Sequence, residues 1–103
     1  MRDVTDATFD EDVLRAQRPV VVDFWAPWCK PCEAVEAVLA ALERDHEERL
    51  EVARVDVDAN PALAARYGVL ALPTAMLFVG GEPRATAVGA HSPAHYERLF
   101  GLG

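Results

Sequence analysis

The chain has 103 residues, the size of one small domain, and we expect a single domain spanning residues 1–103. Apolar residues make up 51% and charged residues 26%, which is typical of globular rather than disordered chains. The 10 Lys and Arg against 17 Asp and Glu give a net charge of −7, which argues against binding to nucleic-acid phosphates. No apolar run approaches the roughly 20 residues that span a bilayer, and the first residues do not resemble an export signal. We therefore expect a cytoplasmic protein that contacts neither membranes nor nucleic acids.

The first half of the chain predicts alternating strands and helices. A short strand is expected at Val4-Thr5, followed by a helix from Thr8, whose hydroxyl group and Glu11 have capping-box spacing. The β-branched and aromatic residues 20–25 predict a central strand that is covered on both faces. A helical apolar period then predicts an amphipathic helix from Pro31 to Arg49. The inward residues of the first helix would be Phe9, Val13 and Leu14.

The second half predicts three strands and two helices. The strands are expected at residues 50–57, 75–79 and 84–88, with a hairpin turn at Gly80-Gly81. The helices are expected to begin at Asn60-Pro61 and Ser92-Pro93; Asn60 offers a capping side chain to the first of them, and Gly68 should end it. The order β-α-β-α-β-α-β-β-α predicts an α/β fold. The inward residues of the last helix would be Tyr96, Leu99 and Phe100.

Cys29 and Cys32 are the two cysteines of the chain, and their spacing indicates chemistry or metal binding rather than a structural role. A disulfide across so short a loop constrains the unfolded chain very little. Pro31 disfavours helical backbone at Lys30, so we expect the helix to begin at Pro31, with Cys29 just before it. Unpaired N–H groups, the helix dipole and the Lys30 cation favour a thiolate at Cys29. This arrangement suits dithiol–disulfide exchange.

The motifs of this chain resemble those of the thioredoxin family over nearly its whole length. Beside W-C-K-P-C (28–32), the matching elements are V-V-D-F-W-A (21–26), D-V-D-A-N-P (56–61), Y-G-V (67–69), L-P-T (72–74), F-V-G-G-E (78–82) and V-G-A (88–90). The resemblance implies a thioredoxin fold with a central mixed five-stranded sheet flanked by four helices, and a cis peptide bond between Leu72 and Pro73. It also implies reduction of client protein disulfides, with electrons from an NADPH-dependent flavoprotein thioredoxin reductase. We expect no bound cofactor, because a glycine-rich nucleotide loop is absent. We also expect a monomer.

The resemblance also assigns roles to residues of the site. Cys29 would be the exposed nucleophile and Cys32 the buried resolving thiol. Asp23 matches a buried carboxylate that helps to deprotonate the resolving cysteine. A carboxylate in an apolar strand is costly to bury unless it is paired or perturbed, and solvation near the strand end is the alternative for Asp23. The substrate-binding rim around Cys29, where Gly89 would allow a client strand to approach closely, would consist of Trp28, Pro31, Leu72, Pro73, Val88 and Gly89.

Three residues around the cysteine helix depart from the family pattern. Lys30 replaces a glycine and favours the Cys29 thiolate, whereas Glu33 replaces a basic residue and acts in the opposite direction. We do not predict the sign of their net effect. Ala37 replaces a helix-kinking proline, which predicts a straighter and locally more stable helix.

Three further departures lie outside that helix. Arg54 replaces a lysine, and if it contacts Asp23 it should keep that carboxyl group ionised, because arginine does not lose its proton. Leu70 and Ala71 replace a polar or basic residue and a glycine. They make the docking loop more apolar and stiffer, which puts recognition by a generic thioredoxin reductase in question.

Other functions fit parts of the sequence. Cys29, Cys32, His91 and His95 have finger-like local spacings for zinc, but the 58 residues between the two pairs do not. A thioredoxin-fold binding module or chaperone without redox chemistry is a second alternative, and a more oxidising, isomerase-like exchanger is a third.

We expect His46, His91 and His95 on the solvated surface. We expect a solubilising face at Glu36, Glu43, Glu47 and Glu48.

Overall fold

The structure is a computed structural model that describes residues 1–102. Its strands are β1 (Arg2–Asp3), β2 (Val20–Trp25), β3 (Glu51–Asp56), β4 (Thr74–Val79) and β5 (Glu82–Val88). Its helices are a short π-helical segment (Asp10–Leu14), α1 (Lys30–Asp45), α2 (Pro61–Arg66) and α3 (Pro93–Leu99). This order confirms the predicted α/β alternation. The five strands and four helices within residues 1–102 are those expected of a thioredoxin fold.

The strands form one mixed sheet with β2 in the middle. The strand order is β1-β3-β2-β4-β5. β3 is parallel to both β1 and β2, whereas β4 is antiparallel to β2 and β5 is antiparallel to β4. The apolar run of β2 therefore has the central, doubly covered position that it predicted. A short loop leads from β2 directly into α1, which places the cysteine motif at this end of the sheet. In the part of the chain that the structure describes, no helix is long and apolar enough to cross a bilayer.

Side chains of β2 alternate between two apolar layers. Val20, Val22 and Phe24 pack in the layer that contains the π-helical segment and α2. Val21 packs in the opposite layer, against residues of α1 and α3. Because alternate residues of a strand share a face, Asp23 points toward α1 and α3 as well. The sheet thus directs this carboxyl group to the layer that carries the cysteine helix.

The strand boundaries differ by one or two residues from the prediction. β1 spans Arg2–Asp3 instead of Val4-Thr5, and the pairing ends where the Val4 N–H donates to the Arg54 carbonyl at 2.9 Å. The Gly80-Gly81 hairpin is confirmed, with φ of +59° and +81°. A Cβ atom at Gly81 would also lie 2.9 Å from the Leu14 carbonyl oxygen, so the turn requires glycine on two grounds.

The capping box predicted at Thr8 is not formed. The Thr8 hydroxyl accepts the N–H of Thr5 at 3.0 Å, and Glu11 pairs with Arg15 at 3.0 Å. Each side chain therefore has another partner, and neither bonds the backbone N–H that a capping box would give it. The segment is π-helical, and it packs inward as predicted through Phe9 and Val13, with Leu14 half-buried.

α1 begins one residue earlier and ends four residues earlier than predicted. Lys30 is helical although it precedes Pro31, and Pro31 itself is tolerated because its missing N–H costs no hydrogen bond in the first turn. After Asp45 the chain turns, and the Leu50 N–H donates to the His46 carbonyl at 3.0 Å. α1 continues through Ala37 without interruption, as expected where proline is absent.

α2 and α3 begin at Pro61 and Pro93, as the Asn60-Pro61 and Ser92-Pro93 pairs predicted. The Ser92 hydroxyl accepts the His95 N–H at 3.2 Å and caps α3. Asn60 does not cap α2: its side-chain oxygen accepts the Asp6 N–H at 2.9 Å and ties the N-terminal segment to this loop. Gly68, with φ +65°, follows the end of α2 as predicted.

The glutamates expected to form a solubilising face make internal contacts in two cases. Glu36 pairs with Arg54 at 2.7 Å, and Glu43 accepts the Val52 N–H at 2.7 Å. Both are therefore tied to β3. Glu47 and Glu48 are exposed and lie beyond the end of α1.

Candidate active site

Cys29 and Cys32 lie at the N-terminus of α1 and are joined by a disulfide bond, with their Cα atoms 5.4 Å apart. Cys29 is the N-cap residue with extended backbone, and Cys32 lies in the first helical turn. The Cys29 N–H donates to the Ala26 carbonyl at 3.0 Å, which fixes the loop that leaves β2. These positions confirm the expected geometry, in which the pair meets the unpaired N–H groups and positive dipole end of α1.

Both cysteines are buried. Cys29 is 6% exposed and Cys32 is 3% exposed, so the expectation of an exposed Cys29 is wrong for this disulfide form. The pair packs with Ala26 and with partly buried apolar side chains, among them Leu72. Lys30, Pro31 and Glu33 are exposed around the two cysteines.

Asp23 is a fully buried carboxyl group in β2. Neither of its oxygens has a hydrogen-bond partner among residues 1–102. The pKa of Asp23 is raised from 3.8 to about 7: burial is the largest cause, the Glu36 carboxylate also raises it, and the Arg54 cation acts in the opposite direction. The burial inferred from the motif is confirmed, and solvation of Asp23 at the strand end is wrong.

Arg54 does not pair with Asp23, although the two residues are partners in the register of β2 and β3. Its guanidinium group contacts Asp3 and Glu36, each at 2.7 Å. The guanidinium carbon lies 4.6 Å from the centroid of the Trp25 ring. The condition under which Arg54 was expected to keep Asp23 ionised is therefore not met.

The loop before β4 brings the predicted rim residues toward the cysteines. The Leu72–Pro73 peptide bond is cis, as the resemblance implied, and the Pro73 carbonyl accepts the Gly89 N–H at 2.8 Å. Val88 is 55% exposed, whereas Pro73 is buried. Gly89 has φ +85°, and a Cβ atom there would meet nothing within 4 Å. Its backbone conformation therefore favours glycine. The close approach of a client strand at Gly89 remains a prediction.

Two exposed apolar side chains frame this end of the molecule. Trp28 is 68% exposed, and its indole Nε1 donates to Asp58 at 2.9 Å. Sequence reasoning did not single out Asp58, although it lies within the D-V-D-A-N-P element. Leu70 is 98% exposed, which confirms that the loop before Pro73 presents an apolar side chain to solvent.

The histidines are less solvated than expected. His91 is exposed, but its ring stacks on that of His95 with centroids 4.2 Å apart, and His95 is half-buried. His46 is also half-buried and lies 3.7 Å from Glu97. In the described part of the chain, no three His, Cys, Asp or Glu side chains form a group that could hold a metal ion.

Several known proteins are similar in sequence to this chain. A family model described as thioredoxin matches residues 1–99. Thioredoxin from Streptomyces clavuligerus is 45% identical over 94 residues, covering 91% of this chain and 87% of that protein. Thioredoxin from Pseudomonas aeruginosa is 47% identical over 89 residues, covering 86% and 82%. The bifunctional thioredoxin reductase/thioredoxin of Mycobacterium leprae is 47% identical over 92 residues, covering 89% of this chain and 20% of that protein.

The family model covers almost the entire chain, and the Streptomyces clavuligerus and Pseudomonas aeruginosa thioredoxins match it along most of their own length. The matched region includes a disulfide between two cysteines three positions apart at a helix N-terminus. A dithiol in this position can exchange with the disulfide of another protein. The chain belongs to the thioredoxin family and is a protein-disulfide oxidoreductase that acts by dithiol exchange through Cys29 and Cys32.

Proposed function

We propose that Cys29 is the attacking sulfur and Cys32 the resolving sulfur in the reduction of client disulfides. The Cys29–Cys32 disulfide at the N-terminus of α1 is the observation that carries this assignment. Cys29 occupies the N-cap position beside exposed Lys30, where a thiolate meets the positive end of the helix. Cys32 lies inside the first turn and is the more buried of the two.

The reaction transfers two electrons from the dithiol to the client. The Cys29 thiolate attacks one client sulfur, which forms a mixed disulfide and releases the other client sulfur as a thiolate that takes a proton from water. Cys32 then loses its proton, and its thiolate attacks the Cys29 sulfur. The Cys29–Cys32 disulfide forms, and the second client thiol leaves. The protein is oxidised and the client is reduced.

We assign Asp23 as the base that accepts the proton of Cys32. The carboxyl group faces the layer that contains α1, and its pKa is raised to about 7, mainly by burial. A group with this pKa exists in both protonation states near neutral pH, so it can accept a proton and return it. Trp25 and Arg54 lie beside this region and are assigned a supporting rather than a chemical role.

Clients would bind across the apolar rim beside the cysteines. The exposed side chains of Trp28 and Val88 flank this region, and the loop that ends at Pro73 offers backbone for an extended client segment. Such a segment would lie over Leu72 and Gly89. Pairing through backbone groups is compatible with clients of many sequences.

Electrons would come from an NADPH-dependent flavoprotein thioredoxin reductase. The support is the Mycobacterium leprae relative, whose name combines thioredoxin reductase with thioredoxin in one protein. We further propose that residues 1–103 form one domain that acts as a cytoplasmic monomer and carries no bound cofactor other than its own redox-active disulfide. Electron transport to clients would then depend on reversible docking to the reductase.

Reduction of insulin by dithiothreitol tests the proposal. The wild-type protein should accelerate precipitation of the insulin B chain, and Cys29→Ser should abolish the effect. Cys32→Ser is the matched control, because it retains the attacking sulfur and should accumulate a mixed disulfide with the client. Full activity of Cys29→Ser would identify a binding module or chaperone instead. The equilibrium potential of the Cys29/Cys32 couple against glutathione separates a reductant from an isomerase-like oxidant.

A further inference from the structure

Arg54 lies beside Asp23 in the sheet, but its guanidinium group contacts other residues. The two residues are register partners on parallel strands, so their side chains leave the sheet on the same face. Arg54 Nε donates to Asp3 Oδ1 at 2.7 Å, and Nη1 lies 2.7 Å from Glu36 Oε2. The guanidinium group also stacks over Trp25. Two carboxylates from different elements and one aromatic face therefore fix its position.

The Asp23 carboxyl group forms no hydrogen bond or ion pair with this nearby cation. It is fully buried, and neither oxygen has a hydrogen-bond partner within residues 1–102. A guanidinium group released from its present partners would be attracted to such a carboxylate, since a buried charge is costly until it is paired. Glu36 lies four residues after Cys32 on α1, which places both on one side of that helix.

We propose that Asp3 and Glu36 are positioning residues, which hold the Arg54 guanidinium group over Trp25 and away from the Asp23 carboxyl group. The proposal rests on the proposed function, because it concerns the proton that Asp23 exchanges with Cys32. An arginine paired with Asp23 would keep the carboxyl group ionised and make it a weaker base. With Arg54 held away, the carboxylate accepts the Cys32 proton and returns it when the dithiol is restored. Asp3 and Glu36 thereby set the pH range in which the resolving step is fast.

The charged groups around Asp23 come from three elements. Glu36 on α1 raises the pKa of Asp23 and Arg54 on β3 lowers it, although burial is the largest cause of its shift. On α3, burial raises the pKa of Tyr96, and the charge of Asp23 adds to this rise. The β4 partner of Asp23 is the uncharged Ala75. The cysteines are uncharged as a disulfide, and the exposed charges nearby on α1 are Lys30 and Glu33.

Titration of Asp23 by carboxyl ¹³C NMR in the oxidised full-length chain tests the proposal. Asp3 is exposed, so Asp3→Asn should fold normally, and it should lower the pKa of Asp23 by roughly 1 unit as Arg54 becomes free to approach. Asp6→Asn is the matched control, because Asp6 is an exposed aspartate of the same segment that does not pair with Arg54. It should leave the pKa of Asp23 unchanged.

A second pair of variants separates positioning from direct charge repulsion. Glu36→Gln should lower the pKa of Asp23 by roughly 1 unit or more, but most of this decrease should vanish in the Arg54→Gln background. A decrease of the same size in both backgrounds would mean that Glu36 acts through its own charge, and it would overturn the proposal. An unchanged pKa in Asp3→Asn would overturn it as well. These titrations need no client, whereas failure of insulin reduction by the wild-type protein would count against the proposed function.

Discussion

The indole Nε1 of Trp28 donates a hydrogen bond to the carboxylate of Asp58 at 2.9 Å. This bond links the loop before Cys29 to the segment between β3 and α2. It holds a large apolar side chain in one orientation although 68% of that residue is exposed. An anchored aromatic group loses less conformational entropy when a client binds over it.

We predict that Asp58→Ala weakens client binding with little effect on stability. The KM for insulin should rise about threefold, which corresponds to about 0.7 kcal/mol, while kcat changes less, because the indole becomes mobile but the cysteines are untouched. Asp58→Asn keeps an acceptor oxygen and should restore most of the wild-type KM. Equal KM values for wild type and Asp58→Ala would contradict an orienting role for this bond.

The raised pKa of Asp23 predicts a specific dependence of stability on pH. The folded state holds this proton more tightly than the unfolded state, since the pKa is raised from 3.8 to about 7, mainly by burial. The resulting stabilisation is complete below pH 3.8 and is lost as the pH rises to about 7, a loss on the order of 4 kcal/mol.

Guanidinium denaturation of the oxidised protein between pH 4 and pH 8 measures this loss. Asp23→Asn should remove it, so the difference in unfolding free energy between the variant and the wild type should move in favour of the variant as the pH rises. Asp6→Asn, at an exposed position, should follow the wild type. A constant difference between Asp23→Asn and wild type across this range would show that Asp23 does not titrate with a raised pKa.

The uninterrupted course of α1 through Ala37 predicts a large cost for proline at that position. Ala37→Pro should destabilise the protein by about 3 kcal/mol, because proline lacks the N–H donor and its ring clashes with the preceding turn. Ala37→Gly should cost only about 1 kcal/mol and provides the comparison. Chemical denaturation with the disulfide intact gives both values. A cost for proline no larger than that for glycine would indicate that α1 tolerates a kink at this point.

The exposed loop before Pro73 predicts selectivity toward the reductase. Leu70 is 98% exposed, so replacing it should not affect stability. The variant Leu70→Lys with Ala71→Gly should raise kcat/KM with a thioredoxin reductase from Pseudomonas aeruginosa by roughly tenfold, equivalent to about 1.4 kcal/mol. NADPH consumption measures this change. Dithiothreitol-driven insulin reduction is the control and should not change; an unaltered NADPH rate would show that this loop does not govern reductase recognition.

The sequence by itself determined the features that depend on short-range forces. The apolar run of β2 indicated the central strand, and Ser92-Pro93 indicated the start of α3. The cysteine spacing and Pro31 placed the pair at the start of α1, although the first helical residue is Lys30. Gly80-Gly81 indicated the hairpin. In each case neighbouring residues contain the physical reason, such as backbone preference, hydrogen bonding within one turn, or the alternation of side chains.

Only the tertiary structure decided which distant groups meet. Arg54 pairs with Asp3 and Glu36 because β1, β3 and α1 converge around it, and no local pattern distinguishes these partners from Asp23. The burial of Asp23 depends on the layers that cover β2 from both sides, and that burial is the largest cause of its raised pKa. Desolvation and ion pairing depend on distances between segments far apart in the chain, so packing of the whole fold is needed before either can be assigned.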